Sequence, residues 1–202
     1  MLARFAATAF AFGLASSPAD ADKILSFGAG GVVPWEGDGG YSIVGSIGFT
    51  PFSEHTRLAL EFEYRSLDLK VDLRDLDPGA GVVKLPLDTY DLRAVFRFVF
   101  NPGGLSPYLG FGGGLKLISL DDRALKSAAG VPDSFLSTKS YGVSGGLLGL
   151  LGLEFPFVAG TLAVFVEARA DYAWEFTDGV GAVLNNGHAG AFTGMGGLRL
   201  TF

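Results

Sequence analysis

The sequence predicts an all-β protein, an eight-stranded antiparallel up-and-down β-barrel that crosses a membrane with its strands. Three observations carry that prediction. Apolar and polar residues alternate with a period of two through eight separate stretches, the connections between them alternate short and long, and Trp and Tyr gather at one end of the strands. A period of two marks a strand with a different environment on each face. Stretches of about ten residues match a tilted strand crossing the hydrocarbon.

Composition removes several function classes. The chain has 202 residues, 49% of them hydrophobic, with 31 Gly, no Cys and a formal net charge of -6. Without Cys there is no disulfide, no thiolate zinc site and no cysteine nucleophile. An acidic balance argues against nucleic acid as a partner.

Residues 1–21 read as a secretory signal peptide and residues 22–202 as the barrel domain. Arg4 supplies a positive start, Phe5–Leu14 is an apolar run too short to span a bilayer, and Ala19-Asp20-Ala21 is an A-x-A cleavage site. The expectation is an exported chain. No Cys follows the cleavage site, so lipoprotein anchoring is not expected.

The clearest strands lie in the middle. Leu58, Leu60, Phe62 and Tyr64 share one face, with Glu61, Glu63 and Arg65 opposite. In Tyr90–Phe100 the face of Tyr90, Leu92, Ala94, Phe96, Phe98 and Phe100 opposes Asp91, Arg93 and Arg97. In Thr161–Phe176 an apolar face from Leu162 to Trp174 opposes Glu167, Arg169, Asp171 and Glu175. Weaker alternation gives Lys23–Val33, Tyr41–Thr50, Pro107–Ser119 and Lys139–Phe155. The final strand, Ala191–Phe202, sets Phe192, Gly194, Gly196, Leu198, Leu200 and Phe202 on one face. The most apolar window, Tyr141–Leu153, is broken by glycines and closed by Glu154 and Pro156, so it is not a spanning helix. A soluble sandwich also alternates, and the export signal and apolar ending weigh against it.

Three connections are short and contain Pro: Pro51–Arg57, Asn101–Ser106 and Pro156–Gly160. The others are Pro34–Gly40, Leu69–Thr89, Leu120–Thr138 and Thr177–Gly190, three of them long. Short periplasmic turns and long surface loops are the asymmetry of outer-membrane barrels. Trp35, Tyr41, Tyr64, Tyr90, Tyr141, Tyr172 and Trp174 fall at the long-loop end, with only Tyr108 at the other, which Phe49, Phe98, Phe100, Phe155 and Phe202 mark. Aromatic rings prefer the membrane interface, so this is a pair of girdles.

The charged faces point inward: Glu61, Glu63, Asp91, Glu154, Glu167, Asp171 and Glu175 against Arg65, Arg93, Arg97, Lys116, Arg169 and Arg199. An eight-stranded barrel is filled by its own side chains, and buried ions must pair. The expectation is a pairing network that plugs the barrel, with inward glycines (Gly110, Gly112, Gly114, Gly142, Gly146, Gly152, Gly197) giving room to long side chains. Opposite signs face each other across the β-hairpin if Arg65 stands opposite Asp91 and Glu63 opposite Arg93. Acid/base work by Glu61 and Glu63 is the competing reading.

The alternating ending resembles the C-terminal signal of bacterial outer-membrane barrels: a glycine and two spaced hydrophobics, here Gly197, Leu200 and Phe202. Met195 replaces the polar residue that opens the signal. The whole layout resembles the OmpA-like and OmpX-like small barrels, without a peptidoglycan-binding domain. That resemblance implies residence in the Gram-negative outer membrane, in contact with its lipid and lipopolysaccharide. It also implies handling by periplasmic chaperones and the barrel-insertion machinery.

The function expected is a structural or interaction role through surface loops, without catalysis, cofactor or metal. One alternative is a narrow OmpW-like passage for small apolar solutes, its lumen lined by leucines of Gly146–Leu153. Another is a lipid-modifying hydrolase, since enzymes of that kind occur on small barrels. It would use His188 with Asp178, Ser134 or Ser137, whereas His55 falls in a periplasmic turn. A solvated loop histidine is the plainer account of His188. Leu69–Leu87 continues the alternation, so the third and fourth strands extend as a hairpin. Asp121–Ala129 reads as a short helix. Leu73, Leu76, Val82, Val83, Leu85, Phe135 and Leu136 make these loops unusually apolar, and packing on one another accounts for it.

Overall fold

The structure, a computed structural model, describes residues 22–35, 38–72, 82–102, 104–120, 141–158, 161–175 and 188–202. They form eight strands: β1 (Lys23–Pro34), β2 (Asp38–Phe49), β3 (Thr56–Asp72), β4 (Val82–Val99), β5 (Ser106–Leu120), β6 (Tyr141–Val158), β7 (Leu162–Glu175) and β8 (His188–Thr201). Each strand pairs with the next, and β8 returns to β1, closing a barrel. The seam is held by pairs such as Leu25↔Leu200 and Ser26↔Arg199. Closure leaves no bare strand edge along the wall.

The two faces separate as the alternation demands. Phe27, Phe111, Leu147, Leu151, Phe192 and Leu198 stand outward and more than half exposed. The partners of opposite parity are buried inside. At one departure from a plain ladder a local cause is visible. Pro156 has no N–H to give, and the β6–β7 register shifts between Pro156 and Val158.

The β3–β4 ladder continues from Asp68↔Pro86 to Asp72↔Val82. It passes the last β2–β3 pair, Asp38↔Asp68, and the last β4–β5 pair, Leu87↔Leu120. This is the expected hairpin above the long-loop end. The signal peptide, the Asp121–Ala129 helix, Leu73, Leu76, Ser134, Phe135, Leu136, Ser137 and Asp178 lie outside the described residues.

Two expectations are corrected. The β3–β4 register is two residues away from the expected one: Glu61 faces Arg93, Glu63 faces Asp91 and Arg65 faces Thr89. Parity is kept, so the same side chains point inward. The leucines of β6 divide between faces: Leu148 and Leu150 are buried inside, while Leu147, Leu151 and Leu153 face outward. A strand cannot send adjacent residues to the same side.

Inside, side chains stack in layers. Val32, Leu67, Leu87, Ile118 and Ala191 make an apolar layer toward the long-loop end. Val95, Val99, Tyr108, Leu148 and Leu150 cover the β4–β6 wall toward the short-turn end, and Val44, Phe165 and Met195 pack together opposite. Phe165 fits because Gly28 and Gly197 lie against its ring. A Cβ at those positions would stand 2.9 and 2.7 Å from it. Between these layers lies the charge.

Candidate functional site: the charged interior

Alternation on β3, β4 and β7 delivers carboxylates and guanidiniums to one volume. Glu61, Glu63, Arg65, Asp91, Arg93, Arg97, Glu154, Glu167, Arg169, Asp171 and Arg199 are all buried, and Lys116 is nearly so, with 14% of its side chain exposed. Glu175 ends β7, and its side chain lies outside the described residues.

The contacts cross the barrel instead of running only along its wall. Arg65 on β3 donates through Nη2 to Asp171 Oδ2 on β7 at 2.6 Å, and Arg93 on β4 pairs with the same carboxylate. From the other side, Arg169 on β7 donates to Glu61 Oε2 on β3 at 3.0 Å. β3 and β7 are four strands apart in a ring of eight, so these pairs span the lumen. Local pairs complete the set. Arg65 Nε donates to Glu63 Oε1 at 2.7 Å, and Ser42 Oγ reaches the same oxygen at 2.5 Å. Arg93 also pairs with Glu63, Arg97 with Glu61, and Arg169 with Glu167. Tyr108 donates its hydroxyl to Glu167 Oε2 at 3.0 Å.

A second cluster closes the short-turn end. Glu154 accepts from Arg57 at 2.5 and 3.2 Å and pairs with Arg199. The Arg199 guanidinium also lies 5.3 Å from the Tyr108 ring centre and 5.0 Å from that of Phe165, and its Nε donates to Ser26 at 3.1 Å. A void of about 10 Å³ beside Ser46, Arg57, Arg97 and Arg199 is at the limit of what one water needs.

Two of these residues were misplaced by sequence reasoning. Arg57 was assigned to a turn, yet it belongs to β3 and points inward. Tyr108 was read as an aromatic at the short-turn interface, yet it is buried in the lumen. Parity would have found both: Arg57 is two residues before Ala59, and Tyr108 two before Gly110. At the inward Gly114 and Gly110 a Cβ would meet the Leu92 and Phe96 carbonyl oxygens first, and would also stand 2.9 Å from Arg93 Cγ and 3.1 Å from Arg97 Cγ. These glycines therefore make room for the neighbouring backbone as well as for the arginine stems.

The candidate for nucleophilic chemistry is not assembled by the described residues. His188 opens β8 opposite Trp174, and its proposed partners lie outside them. His55 is occupied at the short-turn end, with Nδ1 2.9 Å from the Val99 carbonyl oxygen and its ring stacked on Phe98. Gly197, Leu200 and Phe202 lie on the β1–β8 seam. Gly197 faces inward beside Phe165, Leu200 faces outward, and Phe202 exchanges backbone hydrogen bonds with Lys23 at 2.8 and 2.9 Å.

The closed antiparallel ring of eight strands is a fold that this chain shares with solved β-barrels. Among solved structures, the chain is similar to Neisserial surface protein A, with a TM-score of 0.60 and 17% identity, covering 90% of this chain and 99% of that one. It also aligns with the N-terminal β-barrel domain of Pseudomonas aeruginosa OprF, at 16% identity over 91% of this chain and 98% of that one, with a TM-score of 0.39. At 17% identity the likeness to Neisserial surface protein A is one of fold. No protein-family model matches the chain, and no curated protein matches it by sequence.

Proposed function

We propose that this protein is an integral outer-membrane barrel whose interior is plugged by ion pairs and whose role is structural or interactive, exercised through the loops at its long-loop end. The observation that carries the plugged interior is the set of pairs crossing from β3 to β7, Arg65 to Asp171 and Arg169 to Glu61. Guanidiniums and carboxylates that bridge opposite walls support a lumen closed to solutes. Breaking one such pair costs ~3–5 kcal/mol, because it leaves an uncompensated buried charge.

The outer surface supports placement in lipid. Leu109, Phe111, Leu115, Leu147, Leu151 and Leu198 are exposed around the wall. So broad an apolar surface is unfavourable in water and favourable in hydrocarbon. Trp35, Tyr172 and Trp174 form one aromatic cluster toward the long-loop end, with ring centres 6.0 and 6.3 Å apart. Tyr41, Tyr64 and Tyr90 form another, at 6.0 and 5.3 Å. Rings of this kind settle at the headgroup level. The partners that follow are outer-membrane lipid and lipopolysaccharide, with periplasmic chaperones and the insertion machinery acting during assembly.

Planar-bilayer recording on the refolded protein tests the plug. Silence is expected, and sustained conductance would count against it. Mass spectrometry of lipid A from expressing cells tests the non-enzymatic role. A lost acyl chain that returns in His188→Ala would replace this reading with a hydrolase.

A further inference from the structure

The interior is not uniformly paired. Asp91, 1% exposed, has three cations around its carboxylate: Arg93 Nη2 at 3.4 Å, Arg65 Nε at 3.8 Å and Lys116 Nζ at 3.9 Å. None is in hydrogen-bonding geometry, and neither oxygen accepts a hydrogen bond from any described residue. Arg93 Nε and Nη2 beside it also make no hydrogen bond with any described residue, and two buried hydroxyls nearby are in the same condition. Ser144 Oγ on β6 and Thr89 Oγ1 on β4 find no partner among the described residues. The ladder brings these groups together. Asp91 faces Lys116, Lys116 faces Ser144, and Thr89 is the next inward residue of β4.

There is also room. Gly146 is the inward neighbour of Ser144, and a Cβ built on it would meet nothing nearer than the Tyr172 carbonyl oxygen at 3.4 Å. The apolar layer of Leu87 and Ile118 lies above this level, and Val95, Leu148 and Leu150 lie below it. Buried polar groups in native proteins are satisfied by protein or by ordered water. A carboxylate, an ammonium and two hydroxyls at neighbouring inward positions of β4, β5 and β6 offer water the several partners it needs.

We propose that Asp91, Lys116, Thr89 and Ser144 line an internal hydration site, in which ordered water bridges the Asp91 carboxylate to the two hydroxyls and the Lys116 ammonium. The plug is then half wet and half dry. Water fills the level of Asp91, while the level of Val95, Leu148 and Leu150 excludes it. The carboxylate is neutralised by cations it does not touch and solvated by water it does. The inference rests on the filled-interior reading only for the apolar layers on either side.

Water-edited solid-state NMR on the protein refolded in lipid bilayers tests this. Magnetisation from water is expected to reach Thr89 and Ser144 several-fold faster than Val95, Val99 and Leu150. Equal, slow build-up at all five would overturn the site. Gly146→Val, which places methyls in the space without touching a charge, is expected to slow build-up at Thr89 and Ser144. Unchanged rates in a folded Gly146→Val barrel would also overturn it. The wild-type comparison needs no variant, so a variant that does not fold leaves that comparison decisive. A conducting barrel with fast transfer at Val95 as well would instead remove the plug itself.

Discussion

Glu63 on β3 stands directly opposite Asp91 on β4, two buried carboxylates facing each other across the ladder. Like charges in direct opposition are destabilising, so cations must reach in from elsewhere. They do so along diagonals. Arg65 folds back along its own strand to Glu63, Arg93 reaches Glu63 one pair down the ladder, and Arg169 approaches Glu63 Oε2 from β7 at 3.4 Å.

Removing one member of this set leaves a buried charge short of its counter-ion. Glu63→Ala and Arg93→Ala are each expected to lower unfolding stability in detergent or lipid by ~3–5 kcal/mol. The double variant should recover part of the sum. Recovery is partial because Arg93 also serves Asp171 and Glu63 also serves Arg65. A double-mutant cycle measures the coupling, and strictly additive losses would show that the two do not act as a pair.

The register was the part of this hairpin that alternation does not determine. Charges at odd positions of both strands fix parity, because a one-residue slip sends them to the lipid face. A slip of two keeps every side chain inward. Choosing the register by direct sign matching failed, because Arg and Glu are long enough to pair diagonally. Direct opposition is therefore not where their charges meet. The same parity made the inward set on β3, β4 and β7 readable, and it would have included Arg57 had β3 been started one residue earlier. Tyr108 already lay inside the expected strand Pro107–Ser119 at the parity of Gly110, and its aromatic ring, not its position, led to the interface assignment. The cross-lumen pairs were not readable at all. They depend on which strands face each other across the ring, and that follows only from closure.

Glycines on the two faces should respond oppositely to substitution. A Cβ at Gly197 would stand 2.6 Å from the Gly28 Cα and 2.7 Å from the Phe165 ring, whereas one at Gly149 or Gly45 would meet nothing within 4 Å. Gly197→Ala is expected to cost ~1–3 kcal/mol through overpacking. Gly149→Ala and Gly45→Ala should stay within about 0.5 kcal/mol of the parent. Urea unfolding in the same detergent compares all three, and equal losses would show that the inner face is not the tighter one.

Phe202 separates folding from assembly. Phe202 is 66% exposed, and it exchanges backbone hydrogen bonds with Lys23, so its side chain contributes little packing. Deleting it should leave refolding into detergent nearly unchanged. If the terminal Phe is read during insertion, the same deletion should strand the exported chain in the periplasm. Fractionation measures both pools, and a normal outer-membrane yield would show that the residue plays no part in recognition.

Arg199 offers the sharpest test of what the interior asks of its cations. Its guanidinium pairs with Glu154, donates through Nε to Ser26, and lies close to two aromatic rings, Tyr108 and Phe165. Lysine would keep the charge and could still meet Glu154. It has no planar fork to lie against the rings and no Nε donor for Ser26. A cation beside an aromatic face contributes roughly 0.5–2 kcal/mol when desolvated, and a hydrogen bond adds about 1 kcal/mol. Arg199→Lys is therefore expected to lower stability by about 1–3 kcal/mol on those two contributions. Arg199→Met should cost more, because among the described residues Glu154 would retain only Arg57, whose side chain is 13% exposed. Unfolding midpoints should fall in the order parent, Lys variant, Met variant. A Lys variant as stable as the parent would mean that charge alone holds this end of the barrel and the rings are bystanders.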